Sequence, residues 1–277
     1  MGLQRKVRAV TIRRPDDPQL DALREQLATM APSLDEEDSW PSEQLRCCAE
    51  AGVYSWFLPE TQRGEGWSQE WLMRGYMALA QGCTTTAFLI TQRAAAIRRI
   101  VASGDRSLID AARPAMVGGS EFVTIGISHL TTSQRHLGAP AVLAKRDGDE
   151  WRITGRCPWV SGVDRATWVV VGAATEDGQT LEMLIPRTAR GVSADAVADL
   201  TALQASRTGG LILNDVRVPA RQVLAGPKIP EPILGTGTGG LHTSALAVGL
   251  ARRALSFIEA EALQRRELQG TWADLAR

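Results

Sequence analysis

Residues 141–162 read AVLAKRDGDEWRITGRCPWVSG, and this stretch decides the fold of the middle of the chain. Two short strand-like runs flank the dipeptide Asp147-Gly148. Asp-Gly between two such runs is typical of a two-residue hairpin turn in which both turn residues adopt positive φ. The stretch therefore predicts two neighbouring antiparallel strands.

The same kind of pattern continues on both sides of this stretch. Strand-like runs lie at EFVTIGIS, TWVVVGAA, TLEMLIP and GGLILNDVRVP, and Asp177-Gly178 joins two of them. No helical pattern of useful length separates these runs, which argues against parallel neighbours joined by crossover helices. Residues 118–228 are therefore predicted to form an antiparallel β domain, either a barrel or a sandwich.

Helical patterns occupy the chain before and after this β domain. Asp17 can cap a helix that has Pro18 at its first position, and leucines then recur along one face. Residues 1–117 are predicted to form an N-terminal helical domain. Residues 229–277 are predicted to form a linker and the first long helix of an incomplete C-terminal helical domain. That helix is apolar or small on nearly every side over residues 244–257, so it needs helices from a partner chain or from residues absent here.

A glycine-rich stretch, GTGTGG at residues 235–240, precedes this last helix and fits the pattern G-x-G-x-x-G. In a dinucleotide-binding fold, such a turn follows a strand and opens a βαβ unit. Here the residues before it contain two prolines, and no strand is predicted after the helix. We therefore interpret the glycines as a linker and lead-in to the helix, because the pattern alone is a weak signal.

The composition excludes several classes of partner. Lys and Arg number 31, as do Asp and Glu, so no overall charge attracts nucleic acid or an anionic membrane. The longest apolar runs fall short of the roughly 20 residues that span a bilayer, and the N-terminus lacks a secretion signal, which predicts a cytoplasmic protein. The four cysteines and three histidines are scattered, so neither a metal site nor a disulfide framework is expected.

The order of these domains resembles the acyl-CoA dehydrogenase family. Three segments carry the resemblance, which covers about residues 15–265. AGVYSWFLPETQRGEGWSQEWLMRGYMALAQGCTTTAFLI is similar to an early family segment in which a turn joins two helices. AKRDGDEWRITGRCPWVSGVDRATWVVVGAA is similar to the part that supplies much of the flavin site, and LIPRTARGVSADAVADLTALQASRTGGLILNDVRVPARQVL to the run that closes the β domain.

The resemblance implies an FAD-dependent oxidoreductase that assembles as a homodimer or homotetramer. The family's Trp and Ser or Thr at the isoalloxazine ring match Trp159 and Ser161. An indole plane can bury a large apolar area against the flavin, and a hydroxyl or backbone N–H can donate to N5 or O4. The alternative is that Trp159 fills the core and Ser161 lies in an ordinary turn.

A second flavin-binding loop of the family corresponds here to SHLTTSQRH, residues 128–136, which has lost the family's Glu, Gly and Asp. Arg135 could meet a pyrophosphate and Ser133 could contribute a hydroxyl, although polar loops of this kind are often solvated turns. His129 could contact the flavin pyrimidine or an acyl thioester, or could be exposed. Arg207 lies where relatives approach CoA and could meet a phosphate, although such an arginine is more often a surface charge.

The implied reaction, α,β-dehydrogenation of an acyl thioester such as acyl-CoA, needs a carboxylate base to remove the α-proton. One family position for this base, at the start of the first C-terminal helix, has no acid in GTGTGGLHTSALA, and the other lies beyond residue 277. The catalytic residue is therefore not identified. Three alternatives remain: a base outside these residues, a flavin-dependent monooxygenase of the same fold, or a non-catalytic paralogue that binds acyl-CoA or a partner. A purely structural assembly subunit without flavin is the alternative from another class.

Overall fold

A computed structural model describes residues 11–36, 39–131, 140–229 and 239–264 of the chain. The order of an N-terminal helical region, a central sheet and a C-terminal helix, predicted from the sequence, is confirmed. None of the described helices is long and apolar enough to cross a membrane.

Within its described residues, the N-terminal region contains five α-helices, and side-chain caps explain where α1 and α3 begin. The side chain of Asp17 accepts a hydrogen bond from Gln19 N (3.0 Å) and caps α1, with Pro18 at its first position. Ser68 caps α3 in the same way through Trp71 N. The five helices are α1 Pro18–Met30, α2 Ser42–Glu50, α3 Gln69–Gly82, α4 Thr84–Ala102 and α5 Arg106–Val117.

The central region is one sheet of eight strands followed along the path β6-β7-β3-β2-β4-β5-β8, with β1 paired beside β4. This path does not close on itself within the described residues. The strands are β1 Val123–Gly126, β2 Val142–Asp147, β3 Glu150–Val160, β4 Trp168–Ala174, β5 Thr180–Pro186, β6 Val192–Val197, β7 Gly209–Pro219 and β8 Val223–Lys228. A short helix, α6 Ser128–Thr131, follows β1.

The sheet is open and mixed, which corrects the expectation of an antiparallel barrel or sandwich. β1 and β4 pair in parallel from Val123 with Trp168 to Gly126 with Val171, and Leu143 of β2 pairs in parallel with Ala174 of β4. The other five strand pairs are antiparallel, as expected. Parallel pairing is possible without a crossover helix because the β2–β3 hairpin itself carries the chain back to the end of the sheet where β4 begins.

The two predicted hairpins exist, but their turns differ from the expected geometry. Asp147 pairs with Glu150, so the residues of the first turn are Gly148 and Asp149, of which only Gly148 has positive φ (59°). Glycine at the first turn position with positive φ fits a type II′ turn and not the predicted type I′ turn. The second hairpin has a five-residue loop, 175–179, in which Gly178 (φ 79°) supplies the positive φ.

The C-terminal helix α7, Gly239–Gln264, packs along α3 through one narrow stripe. Along the described part, the buried positions 242, 245, 246 and 249 follow helical spacing. The other faces carry exposed large apolar side chains: Leu241, Val248, Leu250, Leu255, Phe257, Ile258 and Leu263. The helix is therefore not enclosed in a bundle within the described residues, although its apolar surface agrees with the expectation that it needs further helices. Residues 235–238 of the glycine-rich stretch lie outside the described residues.

Candidate functional site

Trp159 lies near the end of β3, and its indole is 56% exposed. In a regular strand Trp159 would share the buried face of Cys157, because alternate residues point to the same side. A register shift between Cys157 and Val160 in the pairing of β3 with β7 interrupts this alternation, and Val160 is buried in place of Trp159. An irregularity of this kind commonly redirects a side chain. The indole is therefore available at the surface and does not fill the core.

Ser161 follows directly after β3, and its side chain and carbonyl are both held by threonines. Thr208 Oγ1 donates to Ser161 Oγ over 2.9 Å, and Thr124 Oγ1 donates to the carbonyl of Ser161 over 2.8 Å. Thr208 Oγ1 is also 2.8 Å from Ser206 Oγ. All four residues are buried. Ser161 is therefore more tightly fixed than a serine in an ordinary surface turn.

Gly162 forms the turn after Ser161 and has a positive φ of 67°. A Cβ at this position would lie 2.9 Å from the Phe122 ring and 3.0 Å from the Trp40 ring, so glycine is needed for both conformation and space. Gly162 N donates to the carbonyl of Ser206 (2.8 Å), which joins this turn to the loop before β7. The conformation of the Ser161 backbone thus depends on three separate parts of the chain.

Arg207 pairs with Asp164, with 3.0 Å between Nε and Oδ2. The ion pair crosses from the loop before β7 to the turn after β3, beside the hydrogen bond from Val163 N to the carbonyl of Arg207 (3.2 Å). Because Asp164 already neutralises this guanidinium, the contacts of Arg207 favour a role in holding the turn over recognition of a phosphate.

His129 on α6 is buried, which excludes the alternative of an exposed loop histidine. Its Nε2 lies 2.9 Å from the carbonyl oxygen of Gly172 on β4, so Nε2 carries the hydrogen in this contact. Burial lowers the pKa of His129, and the Gly172 carbonyl partly opposes that shift. The neutral ring leaves Nδ1 as an acceptor, and Nδ1 has no hydrogen-bond partner among the described residues.

The structure thus brings together only some of the site residues predicted from the sequence. Trp159 and Ser161 are neighbours at one end of β3, and Arg207 reaches their turn through Asp164. Ser133 and Arg135 lie outside the described residues. Sequence reasoning missed Thr208, Ser206 and Thr124 as supports of Ser161. No local signal indicated them, because Ser206 and Thr208 lie in the loop before β7, where the left-handed Arg207 between them breaks any strand alternation.

Metal chemistry has no candidate site in the part of the chain that is described. No group of three or more His, Cys, Asp or Glu side chains is close enough there to hold an ion. Burial raises the pKa of Cys157 to about 12, so this thiol beside Pro158 remains protonated and unreactive at neutral pH.

Comparison with known proteins gives the fold its context. No protein-family model matches the sequence. The mitochondrial short-chain specific acyl-CoA dehydrogenase of Bos taurus is 25% identical over 244 residues, which are 85% of this chain and 58% of the relative. The chain thus spans less than two thirds of the length of this relative.

Two solved structures share the fold. The glutaryl-CoA dehydrogenase of Mycobacterium smegmatis in complex with FADH2 superposes with a TM-score of 0.73 at 21% identity, covering 91% of this chain and 66% of that one. KijD3 in complex with FMN and a dTDP-linked sugar superposes with a TM-score of 0.68 at 19% identity, covering 90% and 63%.

The fold defines a class of proteins in which a helical region, a sheet and a second helical region follow one another along the chain. Within that class, the relatives found by sequence include several named acyl-CoA dehydrogenases. Over most of its length, the chain is similar in sequence and in fold to members of the acyl-CoA dehydrogenase family.

Proposed function

We propose that this chain binds FAD beside the end of β3 and serves the α,β-dehydrogenation of an acyl thioester, with acyl-CoA as the substrate class. The observation that carries the proposal is the exposed indole of Trp159, two residues before the fixed hydroxyl of Ser161. The exposed indole offers a flat aromatic surface on which a planar ring system can pack. The similarity to acyl-CoA dehydrogenases, and to a glutaryl-CoA dehydrogenase whose structure contains FADH2, supports the same cofactor and substrate class.

The residues present fit the isoalloxazine ring in chemical type. The Trp159 indole would pack on the flat ring system and remove apolar area from water. Ser161 would donate from its hydroxyl, since Thr208 already donates to that oxygen and leaves the Ser161 hydrogen unused. FAD, when bound, supplies the two-electron oxidising chemistry that the side chains of this protein lack.

Three further residues are proposed to contact FAD. The neutral His129 offers the Nδ1 lone pair to a donor such as a ring N–H of the flavin pyrimidine. Ser133 and Arg135 are proposed to approach the pyrophosphate on the basis of residue type alone. We also propose assembly as a homodimer or homotetramer in the cytoplasm, because the apolar faces of α7 are suited to contact with other helices.

The base that would remove the α-proton is proposed to lie outside the described residues. In α7, the only carboxylates are Glu259 and Glu261, five and six turns from the start of the helix. The missing early acid favours a second candidate, a flavin-dependent monooxygenase, which needs no carboxylate base. The similarity of the fold to KijD3, whose structure contains FMN, is compatible with that alternative.

Titration of the purified protein with FAD tests the proposal. We expect a yellow complex whose FAD affinity falls about tenfold or more in Trp159→Ala, because the variant loses the aromatic packing surface. The matched control is Trp71→Ala, which truncates another partly exposed tryptophan, on α3, that packs edge-on against Trp67. Equal FAD affinity in the two variants would contradict the assignment of Trp159, and a protein that takes up no FAD would contradict the proposed function.

The reaction class is then decided with the yellow complex under anaerobic conditions. Bleaching of the flavin by acyl-CoA alone supports dehydrogenation. Bleaching only by an added reductant, followed by product formation that requires oxygen, supports the monooxygenase. A complex that responds to neither supports a paralogue that binds without catalysis.

A further inference from the structure

Three buried hydroxyl groups form a line that ends at Ser161. Ser206 Oγ lies 2.8 Å from Thr208 Oγ1, and Thr208 Oγ1 lies 2.9 Å from Ser161 Oγ. Ser206 is fully enclosed, whereas Ser161 lies in the turn immediately beyond the exposed Trp159. The line therefore runs from the interior toward the proposed flavin site.

The hydrogen atoms available to this line give it a direction. Each hydroxyl has one hydrogen to donate, and Thr208 donates its hydrogen to Ser161. Thr208 must then accept from Ser206, so the hydrogens of Ser206 and Thr208 are both used inside the line. In the reverse direction, Ser161 would donate to Thr208 and Thr208 would donate to Ser206. The hydrogen of the enclosed Ser206 would then have no acceptor in the line. Both ends of the line are buried, but Ser206 is fully enclosed whereas Ser161 keeps 5% exposure beside Trp159, so the outward direction, which leaves the unused hydrogen at Ser161, is preferred.

Tertiary contacts fix the backbone on both sides of Ser206, at the inner end of this line of hydroxyls. Leu203 and Arg207 both adopt left-handed conformations, with φ of 62° and 50°, on either side of Ser206. Such conformations are unfavourable for residues other than glycine and persist only where surrounding contacts hold them. The Arg207–Asp164 ion pair and the hydrogen bond from Gly162 N to the Ser206 carbonyl provide those contacts. They hold the loop before β7 against the turn that contains Ser161.

We propose that Thr208, itself oriented by Ser206, is a positioning residue that keeps the hydrogen of Ser161 directed out of the interior and available to a bound flavin. The inference rests on the proposed FAD site and deepens it. Thr208 does not touch the cofactor. It acts by occupying a lone pair of Ser161, which leaves the Ser161 hydroxyl as a donor with a fixed orientation.

Thermal unfolding of the protein without FAD tests the line of hydroxyls itself. We compare Ser161→Ala, Thr208→Val and the double variant. If the two hydroxyls interact, Thr208→Val lowers the unfolding midpoint clearly in the wild-type background and less in the Ser161→Ala background. The control is Thr86→Val, a buried threonine whose hydroxyl contacts Cys83 Sγ (3.2 Å) in α4, which we expect to be additive with Ser161→Ala. Additivity of Thr208→Val with Ser161→Ala would overturn the inference.

The FAD complex tests the orientation of Ser161. We expect Thr208→Val to alter the visible absorption of bound FAD and to weaken its affinity about fivefold, the loss typical of one neutral hydrogen bond. Thr208→Ser should restore both properties because it keeps the hydroxyl. In the Ser161→Ala background, Thr208→Val should have no further effect on the spectrum.

The two failures can be told apart. If Thr208→Val changes affinity and spectrum equally in both backgrounds, the residue acts through the fold, and the inference fails while the FAD site stands. If the wild-type protein binds no FAD, the proposed function fails and removes the flavin role of Thr208. In that case, the measurement without FAD still shows whether the hydroxyls interact.

Discussion

Replacement of Arg93 by methionine should destabilise the protein by about 3 kcal/mol, an effect that follows from the surroundings of the side chain. Arg93 on α4 is fully buried. Its Nη1 donates to the carbonyl of Gly118 (2.8 Å) and its Nη2 to the carbonyl of Glu121. The guanidinium also lies 4.0 Å from the centre of the Tyr54 ring. Burial lowers the pKa of Arg93, but arginine keeps its proton in proteins, so the charge is present in the interior.

The magnitude follows from what methionine removes and what it relieves. Each hydrogen bond from a charged donor contributes about 1.5–3 kcal/mol, and the contact with Tyr54 adds about 1–2 kcal/mol. Against these gains, holding a desolvated charge in the interior costs several kcal/mol, which methionine avoids. The difference leaves a net loss of about 3 kcal/mol, or about 6–10 °C in the unfolding midpoint for a chain of this size.

Urea unfolding followed by circular dichroism and tryptophan fluorescence provides the measurement. The control is Arg93→Lys, whose single ammonium can reach one of the two carbonyls and should give an intermediate loss. The reasoning would be refuted if the free energy of unfolding of Arg93→Met lay within about 0.5 kcal/mol of the wild-type value, or if the variant were more stable. Either result would mean that hydrogen bonds from water to the two carbonyls are about as favourable as those from the guanidinium.

Two further predictions concern stability. Gly155→Ala should destabilise the protein by about 3 kcal/mol or more, because φ is 138° and the new Cβ would lie 2.1 Å from the Ala141 carbonyl oxygen. The control Gly148→Ala, where φ is 59° and the surrounding space is open, should cost only about 1 kcal/mol. Equal urea midpoints for the two variants would contradict this prediction. Burial, with the nearby Arg98 charge, lowers the pKa of His242 to about 4. The native state then binds fewer protons than the unfolded state between pH 6.5 and 4, so stability falls through that window by up to about 3 kcal/mol as the pH is lowered. His242→Phe should flatten this dependence in urea unfolding at a series of pH values, and an unchanged slope would show that His242 is not its source.

Local signals predicted much of the helical region and the hairpins. The cap at Asp17 and the end of α2 before Gly52 depend on residues within one turn of the boundary, so the sequence contains what is needed. The parallel pairing of β1 with β4 could not be predicted in this way. It depends on where the β2–β3 hairpin places the chain in space, which no short window of sequence specifies.

The candidate site shows the same limit. Residue type indicated Trp159 and Ser161, but strict alternation would have buried the indole, and only the register shift against β7 explains its exposure. For His129, the polar neighbours left both a flavin contact and an exposed position open. Its burial depends on the carbonyl of Gly172, 43 residues away, which accepts from Nε2. Contacts over such separations are set by the tertiary fold and leave little trace in local sequence.

The geometry of the site depends on the helical region as well as on the sheet. Arg93 of α4 fixes the carbonyls of Gly118 and Glu121 in the connection that leads into β1, and its guanidinium lies 5.0 Å from the Phe122 ring. That ring in turn borders Gly162, where even a Cβ would be too close. The turn that contains Ser161 is therefore confined on one side by a helical arginine and on the other by the hydroxyls of the loop before β7. The proposed flavin site requires its donor to be held within about 0.5 Å of one position, and this double confinement supplies such a constraint on the Ser161 turn.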